Sequence, residues 1–378
     1  MIHRKNVTFT VLMIAILSMF AFMSGCSDES TKNKDPLKGL ADSSGEFEKP
    51  SVNNVITFPE AHAPHKTYQQ EWWYLTANLK TEDGQSLATQ WTLFRRGVEQ
   101  KHWYFAHAAL ADTKQHLSAY RNAREELANV AITTQPFVAE IDDWRWQSNG
   151  DLLPAKLSFG SAEKKNPRKS NFTEGEGKEE GEGENNWQVK LNLSSEKPFF
   201  LQGDKGFSKK HHTLDISSHY YSQPFIKVSG DVYWQGKWQK VTGEAWLDRE
   251  WGSQMLAEDQ DGWDWFSLRL NEDTALMVYR IRSNQQDYLY GSLMQSNGEI
   301  RTLSASEIKL TDQSKVSSAY PQSFSIDIAQ EGIKLDVEVV NNKQIMRFGI
   351  EYFEGMVTFS GSHEGDGFLE MTGYNDRL

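Results

Sequence analysis

Tyr68-Gln-Gln-Glu-Trp-Trp-Tyr-Leu-Thr-Ala-Asn-Leu79, the turn Glu82-Asp-Gly84 and the return Leu87-Ala-Thr-Gln-Trp-Thr-Leu-Phe-Arg-Arg96 decide the fold class. Successive side chains of an extended chain point to opposite faces. Trp73, Leu75, Ala77 and Leu79 therefore share one face, while Trp72, Tyr74, Thr76 and Asn78 share the other. An Asp-Gly pair between two such runs predicts a β-hairpin. Trp103-Tyr-Phe-Ala-His-Ala-Ala-Leu-Ala-Asp112 continues it as a third strand.

Downstream, short apolar runs recur with turn residues between them. Strands are expected at 137–141, 144–147, 155–159 and 187–193, and a hairpin closes around Gly236. Beyond it come 274–282, 287–294, 324–328, 334–340, 348–353 and 356–360, with a last run at 367–374. Val55-Ile-Thr-Phe58 also reads as a strand, and only residues 123–129 suit a brief helix. Many short strands with regular turn signals predict an antiparallel all-β fold, sandwich or barrel. Two sets of roughly eight strands predict two barrels in tandem.

The ends of the chain carry different information. His3, Arg4 and Lys5 precede an apolar run at 11–22, which is too short to span a bilayer comfortably and reads as a signal peptide. Met23-Ser-Gly-Cys26 resembles the bacterial lipobox, with Met23 where Leu is usual. Cys26 is the sole cysteine, so a disulfide within the chain is excluded and diacylglycerol attachment is its expected role. Ser27 after it, by likeness to sorted lipoproteins, points to the periplasmic face of the outer membrane. Residues 27–51 read as a flexible tether, 52–244 as a first domain and 245–378 as a second. Within the first, the acidic Glu-Gly run of 164–186 reads as a solvated loop.

Charge and motifs narrow the function. A net charge of −12 argues against a nucleic-acid binder, which needs a basic patch. Glu-Gly repeats lack the spaced ligands of a calcium loop. His211, His212 and His219 have no zinc spacing and read as surface histidines, so neither metal nor cofactor is expected. The chain has no Gly-x-Ser-x-Gly elbow. What remains is aromatic and acidic: Glu71-Trp-Trp-Tyr74, Gly243-Glu-Ala-Trp-Leu-Asp-Arg-Glu-Trp-Gly252 and Asp261-Gly-Trp-Asp-Trp265. Buried acids beside tryptophan faces suit protonation of an apolar substrate, because burial raises a carboxyl pKa and a ring face stabilises a cation. Glu71, Asp248, Glu250 and Asp264 are the candidate acids, with Glu71, Asp248 and Asp264 foremost, although strand alternation turns Asp264 away from Trp263 and Trp265. Asp248-Arg-Glu250 beside Trp246 and Trp251 also suits an ion-paired, stacked plug joining two domains, with Glu71 and Arg95 doing likewise at the first barrel's end. His107, among small apolar residues, reads either as a buried hydrogen-bonded histidine or as a ligand contact.

Glu71-Trp-Trp-Tyr74, Phe94-Arg95-Arg96, Phe105-Ala-His-Ala-Ala-Leu110, Leu201-Gln-Gly-Asp204, Tyr220-Tyr-Ser222, Ala245-Trp-Leu-Asp-Arg-Glu-Trp-Gly252, Trp263-Asp-Trp265 and Leu369-Glu-Met-Thr-Gly-Tyr374, in that order, resemble the AttH/CrtC lipocalin-like family. The resemblance implies two tandem lipocalin-like β-barrels; the candidate ligand contacts, read from the aromatic clusters and the strands beside them, are Trp72, Trp73, Tyr74, Arg95, His107, Trp251, Trp263, Trp265, Tyr279 and Arg280. It implies relatives that are carotenoid hydratases, fungal hydratases and cyclases, secreted proteins called hydrolases, and neighbours of ABC transporter permeases. The hydratases place an acid just after a tyrosine on the following strand; the matching Tyr279-Arg-Ile281 carries Arg280 instead. Two functions are expected from this. One is a membrane-tethered protein that binds a hydrophobic small molecule or lipid. The other is a cofactor-independent hydratase, lyase or cyclase of such a molecule. An ABC permease as partner fits either.

Overall fold

The computed structural model describes residues 47–99, 101–161, 186–314 and 318–374. The expected leader with Cys26, most of the tether and the acidic run 174–184 lie outside the described residues. Two antiparallel sheets, of 13 and 10 strands, make up nearly all of the rest. The first sheet runs from His116–Arg124 through Lys101–Ala111, Ser86–Val98, Gln70–Thr81, Lys237–Gly252 and Ser217–Trp234, then returns to Val130–Thr134. Its two ends nearly meet: Arg121 bonds Asp143 at 2.7 Å, and Asn129 bonds the Asn122 carbonyl at 3.1 Å. The second sheet is a half-barrel whose middle strands are Thr274–Ser283, Gln260–Arg269, Gly365–Thr372 and Ile350–Gly361. The expected tandem arrangement of two all-β units is therefore present.

The strand Lys237–Gly252 belongs wholly to the first sheet, pairing with Gln70–Thr81 on one side and Ser217–Trp234 on the other. The division expected at 244/245 falls inside it, and the sheets part between Gly252 and Gln260. Val55-Ile-Thr-Phe58 is not a strand. Phe58 instead stacks on Phe199 at 4.7 Å and meets Tyr221 edge-on, so that segment packs over the end of the first barrel. His219 is buried rather than superficial, between Tyr68 and Trp251.

The alternation in Gln70–Thr81 sorts the molecule. Trp73, Leu75, Ala77 and Leu79 enter the core of the first barrel together with Trp91, Trp146 and Trp234. Trp72 and Tyr74 leave by the opposite face and join a separate cluster with Trp246, Trp265, Tyr279 and Phe368 between the sheets. The second sheet repeats the division. Phe266, Leu268 and Val278 fill its own core, while Trp263, Trp265 and Tyr279 look toward the first barrel.

Each unit holds a buried carboxylate between two arginines. Glu71 accepts from Arg95 Nε and Arg249 Nη2, each at 2.8 Å, and His65 Nδ1 lies 2.8 Å away. The Arg249 guanidinium stacks 3.8 Å from the Trp73 ring centre, and His65 stacks 3.8 Å from Trp251. In the second unit Asp264 accepts from Arg280 Nη2 at 2.6 Å, from Arg282, and from the Tyr374 hydroxyl at 2.8 Å. Both carboxylate side chains are fully buried. Charge taken out of water is tolerated only when it is paired and hydrogen-bonded, and removing one partner of such a set costs about 3–5 kcal/mol.

Burial alone would raise the Glu71 carboxyl; Arg249, the His65 hydrogen bond and Arg95 outweigh it and hold Glu71 well below the ordinary range. Stability from this group is complete above its unfolded value of 4.5 and is lost as pH falls below that. Glu71→Gln should therefore lose about 3–5 kcal/mol at neutral pH, with the gap to the unsubstituted protein closing in acid. Asp264→Asn should cost a similar amount at neutral pH. Chemical denaturation across pH checks both.

Candidate functional site

Between the outer face of the first barrel and the facing side of the second sheet lies a cavity of about 660 Å³. Cross-strand register builds its walls, since residues opposite each other on antiparallel strands share a face. On the first barrel one row runs Phe105, Phe94, Trp72, Glu250, Tyr220. Two residues along, a parallel row runs His107, Thr92, Tyr74, Asp248, Ser222. The second sheet answers with Tyr290, Tyr279, Trp265, Glu370, Glu354 across five strands.

A bulge between Gln260 and Gly262 sets this second row in place. Gly262 has φ +135°, and a Cβ there would lie 2.6 Å from the Thr372 carbonyl and 2.8 Å from Arg282, so glycine is required. Trp263 and Trp265 then face the cavity, and Asp264 between them faces Arg280 and Arg282 on the far side.

The cavity is apolar at its sides and acidic at one end. Asp248 accepts hydrogen bonds from Ser222, from the Tyr220 hydroxyl at 3.0 Å and from Trp246 Nε1 at 3.0 Å. Tyr220 in turn accepts from Trp265 Nε1 at 3.2 Å, which ties the two walls together. Among the described residues no cation pairs with Asp248, and burial pushes its carboxyl up to about 7 against the hydrogen bonds it accepts. Glu370 accepts from Trp263 Nε1 at 2.7 Å and is likewise pushed to about 7, by burial first and by Asp248 and Glu250. Burial and then repulsion from Glu370 raise Glu354 as well. Glu250 forms an ion pair, with Lys210 Nζ 2.6 Å from it. The same ammonium sits 4.6 Å from the Tyr279 ring centre.

The opposite end is aromatic. His107 packs among Phe94, Phe105 and Phe348, and its Nδ1 lies 3.0 Å from the Tyr352 hydroxyl. Burial lowers its pKa to about 3, so the ring is neutral. Tyr120 and Arg347, both largely exposed, stand where this end meets solvent.

Of the sequence-predicted residues, Trp72, Tyr74, His107, Trp263, Trp265, Tyr279 and the acid Asp248 meet at the cavity. Glu71 and Arg95 reach its edge, with their side chains consumed by their mutual ion pair. Trp73 is turned into the first core beneath Arg249, Trp251 stacks on His65, and Asp264 and Arg280 pair on the far face of the second sheet. Glu250, a candidate acid of the sequence, also lines the cavity, whereas Glu370, Glu354, Lys210, Tyr220 and Trp246 were not singled out as site residues. The available signal was an acid inside each of two apolar runs, Tyr352-Phe-Glu-Gly-Met356 and Phe368-Leu-Glu-Met371.

A raised carboxyl reverses the pH behaviour expected of Glu71. The folded state holds a proton that the unfolded chain releases, so stability falls as pH rises from the unfolded value toward about 7 and stays reduced above it. Glu370→Gln, which cannot ionise, should match the unsubstituted protein near pH 4 and exceed its stability by roughly 1–3 kcal/mol near pH 8. Urea titrations at the two pH values check this.

The AttH-like family profile matches residues 49–374. No curated protein sequence matches the chain. Among solved structures, an AttH protein of Nitrosomonas europaea is 27% identical, with a TM-score of 0.73, over 87% of this chain and 100% of that one. Kievitone hydratase from Nectria haematococca is 13% identical with a TM-score of 0.62, over 87% of this chain and 96% of that one. CghA with Sch210972 is 12% identical with a TM-score of 0.50, over 81% and 88%. The last two likenesses concern the fold, which is that of tandem lipocalin-like barrels. With the profile covering both sheets and the cavity between them, this chain belongs to the AttH-like family.

Proposed function

We propose that this protein binds an apolar or amphipathic small molecule in the cavity between its barrels. The carrying observation is the cavity itself: about 660 Å³, walled by Trp72, Tyr74, Phe94, Trp263, Trp265 and Ile350, with a few polar groups gathered at one end. Small-molecule sites have this size and this composition. Lipid attachment at Cys26 would hold the cavity at a membrane surface, where such ligands partition. A permease partner would determine where the protein docks and is compatible with this role.

A second reading is favoured by Asp248 and Glu370. Unpaired acids poised near neutrality in an aromatic cavity are the equipment of cofactor-free acid–base chemistry. In a hydration, one carboxyl protonates the substrate, an indole face stabilises the cation, and a second group takes a proton from the incoming water. The fold shared with kievitone hydratase is consistent with it.

Protein purified from its own envelope and analysed intact by native mass spectrometry should carry a bound apolar molecule that organic extraction removes. Trp265→Ala should lower that occupancy several-fold while circular dichroism stays unchanged. Unsubstituted protein that carries no such mass would contradict the proposal.

A further inference from the structure

Glu354 and Glu370 are directly opposite on the strands Ile350–Gly361 and Gly365–Thr372. That register brings their Cβ atoms to about 5 Å. Glu354 is buried and Glu370 half-buried where it lines the cavity, and among the described residues neither takes part in an ion pair with a lysine, arginine or histidine. The groups facing the pair are Asp248 and Glu250 from Lys237–Gly252, Tyr74 from Gln70–Thr81, Gln90 from Ser86–Val98, and Tyr352 and Trp263 from their own sheet. Lys210, a cation of the cavity wall, is taken by Glu250. Two carboxylates at this separation in a low-dielectric site cannot both ionise.

The pair is also asymmetric toward the cavity. Glu370 lines it, oriented by Trp263 Nε1 at 2.7 Å. Glu354 stands behind, its oxygens beside the Tyr74 and Tyr352 hydroxyls and the Gln90 amide without an aligned hydrogen bond. The Tyr74 hydroxyl, on a residue only 5% exposed, borders the cavity and is also without an aligned partner.

We infer that Glu354 and Glu370 share one proton and that Glu370 offers it to an oxygen acceptor on the bound molecule. The ligand is then an apolar compound carrying a carbonyl or hydroxyl oxygen, rather than a plain hydrocarbon. Glu370 is the contact residue. Glu354 is a positioning residue, whose closeness keeps one proton on the pair up to neutral pH. The inference rests on the cavity's being a small-molecule site.

The test compares 2-acetylnaphthalene with 2-ethylnaphthalene, a ketone and a hydrocarbon of one shape, by quenching of tryptophan emission from about pH 5 to about pH 9. The ketone should bind about tenfold more tightly at the acid end than at the alkaline end, while hydrocarbon affinity stays flat. Glu370→Gln, which donates from its amide at every pH, should flatten the ketone profile. Glu354→Gln removes the repulsion, so the midpoint should move down by about one pH unit or more. A flat ketone profile in the unsubstituted protein, or an unmoved midpoint in Glu354→Gln, overturns the inference. If the hydrocarbon binds and the ketone profile is flat, the shared proton fails and the binding cavity stands. If neither probe binds, the cavity reading fails and takes this inference with it.

Discussion

A strand has two faces, and in Gln70–Thr81 both are buried. One face belongs to the first barrel's core and the other to the space between the units. Everything else about the molecule depends on this. A strand facing water on one side would need polar residues at Trp72 and Tyr74. Large aromatics there require a second layer, and the second sheet supplies it with its own row of aromatics. The cavity is the part of that interlayer which the side chains do not fill.

The acids divide along the same line. Glu71 and Asp264 lie on the core side of their strands, where each is paired with two arginines. Asp248, Glu354 and Glu370 lie on the interlayer side, where no arginine among the described residues pairs with them. Carboxyls a residue or two apart in sequence or register thus have opposite electrostatic character. The paired ones stabilise the fold at neutral pH and the unpaired ones weaken it. A fold that keeps destabilising acids in an aromatic cavity is compatible with stability having been exchanged for use.

Much of the fold was legible in the sequence, because clean alternation in Gln70–Thr81 and Ser86–Val98 leaves little choice of structure or face. The hairpin and the split between Trp73 and Trp72 followed from that. His116–Arg124 was missed because it is an outer strand, half exposed and polar, with no alternation to detect. Ile350–Gly361 was expected as two strands, since Glu354-Gly355 resembles a turn. Gly355 is there for space: a Cβ would lie 2.7 Å from the Phe353 ring and 2.9 Å from Gln344. The site was less legible. Asp248 and Asp264 look alike in sequence, and what separates them is arginines on neighbouring strands. Glu354 and Glu370 meet only through a pairing that no local pattern encodes.

The central claim is that the ligand space lies between the barrels and not inside either one. Diffraction from crystals soaked in a brominated naphthalene addresses it most directly, because bromine can be located by anomalous scattering. A peak is expected between Trp72 and Trp265, within reach of Glu370. A peak enclosed by the first barrel, among Trp91, Trp146 and Trp234, with nothing between the sheets, would contradict it.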